Sequence, residues 1–215
     1  AGYAAKLGAV YQVSETVTVG GSYQLKSALG DMKTATGAAT MSMGDQNGVA
    51  LTDSGTITVI NFQWPAMAAI GASWKATPAL LVAADIKSIG WAEVMKDFKM
   101  RYESSSGADL LIAMPQNWKD QTVLNLGVAW KATSALTLRG GVNLADNPIP
   151  DTDVNPLFPA TVKSHYTAGL GYQFTANDEL NMSYVVAPAV TVTNGSGVKI
   201  SHAQTNMQLM YTHRY

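Results

Sequence analysis

Along most of the chain, apolar and polar residues alternate with a period of two, which puts successive side chains on opposite faces of a strand. From 122 to 131, Thr122, Leu124, Leu126, Val128 and Trp130 share one face, and Val123, Asn125, Gly127, Ala129 and Lys131 share the other. The following segments repeat this, with Leu136, Leu138, Val142 and Leu144 against Thr137, Arg139, Gly141 and Asn143. The same holds for Tyr166, Ala168, Leu170, Tyr172 and Phe174 against His165, Thr167, Gly169, Gly171 and Gln173. One face is oily; the other is small or polar. The pattern predicts nine strands, over 3–13, 16–27, 54–75 with a kink at Pro65, 79–103, 119–131, 134–145, 162–174, 178–190 and 200–214.

A hairpin signal recurs four times: a glycine, an aromatic three residues on, and a short polar turn. The pairs are Gly8 and Tyr11 before Ser14, Gly71 and Trp74 before Thr77, Gly127 and Trp130 before Thr133, and Gly169 and Tyr172 before Thr175. Such strands also fit a soluble sandwich, whose oily face is its core. Two features favour an antiparallel transmembrane up-and-down β-barrel instead. Tyr11, Trp74, Trp130 and Tyr172 fall at one height beside the short turns, as a membrane-interface girdle requires. The connections are also unequal: tight turns at that end, and long stretches over 27–54, 104–118 and 146–161 at the other, the pattern of periplasmic turns and outer loops. The chain closes on an alternating segment ending at Tyr215, which resembles the terminal signal read by the outer-membrane insertion machinery and adds a fifth aromatic to the girdle.

Composition narrows the choice. Charged residues make up 13% of the chain, about half the usual share for a soluble domain, so something other than charge must keep its surface compatible with its surroundings. No run approaches the roughly 18 apolar residues of a spanning helix. A net charge of -1 gives no footprint for nucleic acid, and the absence of cysteine removes thiolate chemistry and Cys-ligated metals. The three histidines, His165, His202 and His213, are scattered, and no Gly-x-Ser-x-Gly, His-Glu-x-x-His or P-loop pattern occurs. No enzyme, metal or cofactor is expected.

Nine strands with the short turns in the periplasm would begin on the outer side and end on the inner one. A complete bacterial barrel has an even count, so at least one further strand is expected. It could belong to a longer polypeptide or to another chain. An open edge in lipid would leave roughly ten backbone groups unpaired at several kcal/mol each.

Several segments, taken together and in order, resemble the C-terminal half of the FadL/TodX-type family of outer-membrane transporters. They are Trp64 and Pro65 through Trp74, then Asp85 and Trp91; Pro115 through Trp118 to Asp120; Leu126 to Trp130; Leu136 to Arg139; Asn147 to Asp151; and Pro156 to Pro159. The resemblance implies a bacterial outer-membrane barrel of fourteen strands plugged by an N-terminal hatch, in which this chain would supply the C-terminal nine strands or so. It also implies passive uptake of small hydrophobic molecules, long-chain fatty acids or aromatic hydrocarbons, with lateral release into the bilayer. The partners would then be the lipid bilayer, the hydrophobic ligand, and the early strands and hatch, from the same or another chain.

Candidate site residues fall in two sets. On the lumen face, Asp85, Lys87, Lys131, Arg139 and His165 would converge with Lys6, Lys26 and Lys163. Either Lys87 or Arg139 would meet a carboxylate headgroup, or the charges would merely satisfy one another or pair with residues of the hatch. In the outer loops, Met41, Met43, Leu111, Met114, Trp118, Leu157 and Phe158, with Met32, Leu110, Ile112 and Ile149, would greet a greasy ligand or pack as a lid. Two other functions fit less of the pattern. A general diffusion porin would carry denser lumen charge, and a surface-interaction protein would use its sheet edges or outer loops to bind another chain.

Overall fold

The structure, a computed structural model, describes residues 1–44, 50–156 and 158–215, with the side chains of Met43, Ala50 and Leu51 outside that description. In chain order the strands are β1 (Gly2–Tyr3), β2 (Lys6–Gln12), β3 (Val17–Gln24), β4 (Ala28–Leu29), β5 (Met32–Lys33), β6 (Ala39–Gly44), β7 (Ala50–Ile60), β8 (Met67–Thr77) and β9 (Leu80–Ile89). After the one-turn helix α1 (Trp91–Val94) come β10 (Asp97–Ser104), β11 (Asp109–Pro115), β12 (Gln121–Lys131), β13 (Leu136–Ala145), β14 (Ser164–Gln173), β15 (Asp178–Thr193) and β16 (Lys199–His213).

Nine of these strands form one antiparallel sheet in the order β2, β3, β8, β9, β12, β13, β14, β15, β16. It is a curved wall, open at β2 and β16. The register keeps parity across the middle of the wall and slips only at Lys75–Thr77 and Ala187–Val190: Trp130 faces Leu138, Leu138 faces Leu170, and Leu180 faces Tyr211, so one face collects the large apolar side chains. On it Leu7, Ile70, Leu124 and Leu126 are each about half or more exposed, a far larger apolar surface than water tolerates and a suitable one for hydrocarbon.

The recurrent turn signal has a single physical basis. Ser14, Thr77, Thr133 and Thr175 each place a hydroxyl oxygen where it accepts two backbone N–H groups just beyond it, at 3.0–3.3, 3.0–3.2, 2.9–3.2 and 3.1 Å. A side-chain acceptor thereby takes up donors that a tight turn leaves unpaired.

Two of the long expected strands divide. The span 54–75 breaks into β7 and β8 at 61–66, where Asn61 adopts a positive φ of 51° and Pro65 cannot donate. The span 79–103 breaks into β9 and β10 at Gly90 and α1. Beyond these breaks, β7 and β10 leave the wall and build a separate five-stranded sheet with β5, β6 and β11. The expected loops over 27–54 and 104–118 are therefore largely strand. This outer sheet is amphipathic: the register sets Ile57, Val59, Met100, Tyr102, Leu110 and Ile112 on one face. The other face bears Lys99, Arg101 and Glu103, with ion pairs Lys99–Asp97 and Arg101–Asp109 at 3.5 and 3.6 Å.

Tyr102 anchors the outer sheet. Its ring lies over Gly55, where a Cβ would come within 2.6 Å of Cζ, and its hydroxyl donates to the Asp53 carbonyl and carboxylate at 3.0 and 3.1 Å. Burial, with the Asp53 carboxylate beside it, pushes the phenol pKa above its ordinary value. The third outer connection packs elsewhere, joining Ile149 and Val154 to Val192 and Ile200 at the outer ends of β15 and β16 in a small core that also takes Trp118 and Val190. Gly55→Val should lift the Tyr102 ring and destabilise the outer sheet by about 1–3 kcal/mol. Limited trypsin digestion should then cleave faster at Lys33, Lys99 and Arg101, while the folded-barrel mobility on an unheated gel stays unchanged.

Candidate functional site

The breaks that end β7 and β9 bring together rings from distant parts of the chain. Phe158 meets Phe98 at 6.3 Å between centroids, Phe98 meets Phe62 at 6.5 Å, and Phe62 meets Trp64 at 5.7 Å. Trp64 then meets Trp91 at 6.3 Å, and Trp91 meets Trp118 at 4.9 Å. Three of the chain's four phenylalanines and three of its five tryptophans thus make one continuous series. Each edge-to-face contact adds on the order of 0.5–1.5 kcal/mol beyond simple burial.

These rings, with Met95, Ile149, Val162 and their neighbours, line a cavity of about 490 Å³ at the outer mouth of the wall. Its size suits a small organic ligand. No Lys, Arg, Asp or Glu lines it among the described residues. Its two glutamines are already engaged: Gln116 Oε1 accepts from Trp118 Nε1 at 3.1 Å, and Gln121 Nε2 donates to the Asp146 carbonyl at 2.6 Å.

Local geometry explains how each ring arrives. Ser27 and Trp64 exchange backbone and side-chain hydrogen bonds, and Gln63 clasps the backbone of Leu29, which fixes the crossing at Trp64. Asn117 takes a positive φ of 46°, which asparagine tolerates, and turns the chain from β11 into Trp118. The Trp118 amide donates to the Met95 carbonyl at 3.1 Å, tying the end of α1 to the start of the next descent.

Below the cavity the inner face is polar and ordered. Asn125 Nδ2 donates to Asp85 Oδ1 at 2.8 Å, Asn143 Nδ2 donates to Asn125 Oδ1 at 2.7 Å, and His165 Nδ1 lies 3.3 Å from Asn143 Oδ1. The four residues sit directly opposite one another across β9, β12, β13 and β14. Nearer the tight turns, Arg139 reaches over Gly171 to Asn181 at 2.7 Å; a Cβ on Gly171 would fall 2.8 Å from the guanidinium. Asn181 in turn donates to Glu179, which also holds Arg214 at 3.0 Å.

Of the residues singled out in the sequence, Trp118, Phe158 and Ile149 line the cavity. Asp85 and His165 join the polar ladder, and Arg139 belongs to the separate group of Asn181, Glu179 and Arg214. Lys87 lies on β9 opposite Ala69 and Val123, and Lys131 ends β12 opposite Thr137. Lys26 is not on the wall at all: it follows β3 and pairs with Glu93 of α1. Met41 lines a smaller cavity of about 120 Å³ in the outer sheet with Ile57, Met100 and Ile112, and Met114 lies beside Asn155. Leu111 projects from the charged face of that sheet, opposite Arg101. The side chain of Met43 and the whole of Leu157 lie outside the described residues. Tyr11, Trp74, Trp130, Tyr172 and Tyr215 are all exposed. Phe62 and Phe98 had no distinguishing signal in the sequence, and Trp64 and Trp91 stood out only within the family resemblance.

Residues 1–213 match the family model described as outer membrane protein transport protein (OMPP1/FadL/TodX). No curated protein matches the chain. Among solved structures, the chain is similar to the Pseudomonas putida toluene transporter TodX, at 30% identity and a TM-score of 0.86, covering 100% of this chain and 50% of that one. It is also similar to the Ralstonia pickettii toluene transporter TbuX, at 27% identity and a TM-score of 0.77, covering 100% and 48%. A Pseudomonas aeruginosa FadL homologue, at 16% identity and a TM-score of 0.65 over 96% of this chain and 50% of that one, shares the fold. The chain therefore spans about half the length of the structures it matches. Because Trp91 and Trp118 lie 4.9 Å apart, they should give an exciton-split circular dichroism band, and Trp91→Phe should abolish it.

Proposed function

Because the chain belongs to the OMPP1/FadL/TodX family of outer membrane transport proteins, we propose that it forms the C-terminal nine strands of a bacterial outer-membrane channel for passive uptake of small hydrophobic molecules. Further strands and a plug, supplied by the rest of a longer polypeptide, would close the wall. The family and its structural neighbours are transport proteins and channels rather than enzymes.

The observation that carries the ligand assignment is the aromatic cavity. Six rings and an uncharged lining favour a compact, neutral, ring-shaped molecule over an anionic one. A monoaromatic hydrocarbon gains edge-to-face contacts there and leaves no polar group unpaired. A fatty acid would bury its carboxylate at a cost, since the cations Lys87 and Arg139 lie outside the cavity lining and Arg139 is already bonded to Asn181. The names of TodX and TbuX, toluene transporters, agree with this reading.

On this account the outer sheet's apolar face, with Met41 and Met114, gathers ligand from the medium and passes it to Trp118 and Phe158. Asp85 and His165 act as a polar floor that discourages a hydrocarbon from descending the lumen, while Arg139, Lys87 and Lys131 keep the inner wall wetted. Tyr11, Trp74, Trp130, Tyr172 and Tyr215 hold the tight-turn end at the membrane interface. Cells carrying the full-length protein should take up labelled toluene faster than cells lacking it, and Trp118→Ala should remove most of the difference. Equal stimulation of decanoate uptake, or no stimulation of toluene uptake, would count against the aromatic assignment.

A further inference from the structure

We infer that Glu93 and Asp120 are positioning residues that set the cavity's preference for rings by fixing the rotation of α1 and so the orientation of the Trp91 indole. This rests on the aromatic-uptake reading above.

Trp91 is the only link between Trp118 and the remaining rings in the described series; without it the wall divides in two. It rides on a helix of four residues with no side-chain cap. Backbone bonds secure both ends: the Gly90 amide donates to the Ala66 carbonyl at 2.9 Å, and the Met95 carbonyl accepts from Trp118 at 3.1 Å. Both bonds fall on residues that flank the turn, leaving the finer specification of how it faces the cavity to contacts made within it.

Side-chain tethers on the two residues after Trp91 supply that specification. The Ala92 amide donates to Asp120 Oδ1 at 2.9 Å, which fixes the first turn against the approach to β12. Glu93 pairs with Lys26, 67 residues away on the segment that follows β3. The tethers pull from different connections, and both act on residues adjoining the indole. An exposed ion pair contributes little to overall stability, so its consequence here is orientation rather than folding. Rings held at fixed angles of 52–84° to one another offer a flat ligand matching edges and faces, whereas a rolled Trp91 leaves an irregular greasy opening that a flexible alkane fills as well as toluene does.

The test compares toluene and n-hexane affinities in the full-length protein in detergent micelles, by displacement of a fluorescent hydrophobic probe. Glu93→Lys should weaken toluene binding by about three- to tenfold and hexane binding much less. The double charge swap, Lys26→Glu with Glu93→Lys, should restore both the affinity ratio and the Trp91–Trp118 exciton band. Asp120→Ala removes the other tether without touching the ion pair and should lower the same ratio, which guards against a folding defect in one variant. Parallel loss of both ligands, an unchanged ratio in both single variants, or a double swap that restores nothing would overturn the inference while leaving the uptake reading intact. A wild-type protein that does not bind toluene would overturn both.

Discussion

A strand that crosses hydrocarbon must pair its backbone on both sides, because no water is present to take up a free N–H or C=O. Much of this chain's architecture follows from that condition. Each wall strand from β3 to β15 hydrogen-bonds two antiparallel neighbours, and tight turns built on Ser14, Thr77, Thr133 and Thr175 reverse the chain while leaving few donors unmet. Period-two alternation then sorts the side chains automatically, large and apolar outward, small or polar inward. The condition lapses beyond the outer mouth, and there the chain is free to leave the ladder. At Asn61 and Gly90 it does so, and the outer sheet and α1 are the result.

The departure creates the site. Ring side chains that would have faced lipid or lumen on continuous strands are instead turned toward one another, and the cavity they enclose contains neither a charge nor an idle polar side chain among the described lining groups. The ordered Asp85, Asn125, Asn143 and His165 ladder on the inner face offers the opposite environment. Polarity therefore changes steeply between the mouth and the inner face, with the rings on connections and elements beyond the wall and the polar ladder on the wall strands themselves.

The wall was legible in the sequence because its signal is local: alternation, the Gly-to-aromatic spacing and the Ser or Thr turns all lie within a dozen residues. Seven wall strands were anticipated to within a few residues at their ends. The divided strands were not, since Ile57 and Val59, or Met100 and Tyr102, alternate in the same way whether their oily face meets lipid or another part of the protein. Pro65 marked one break; Gly90 gave no comparable warning. The ring series was the least legible feature, as its members come from segments around 62, 91, 118 and 158 that converge only once the outer sheet has formed. Trp118 and Phe158 drew notice for being apolar in a loop, while Phe62 and Phe98 read as ordinary strand residues. The inner-face ladder was half legible: parity put Asp85 and His165 on the right face, but only the register aligns them with Asn125 and Asn143.

The central claim is that a neutral aromatic molecule binds among these six rings before it enters the membrane. Crystals of the full-length protein soaked with bromobenzene would test it most directly, through the anomalous signal of the bromine. The account requires a peak within the cavity bounded by Phe62, Phe98 and Trp118. Bromine found only along the lipid-facing surface, with the ring cavity empty at saturating ligand, would contradict it.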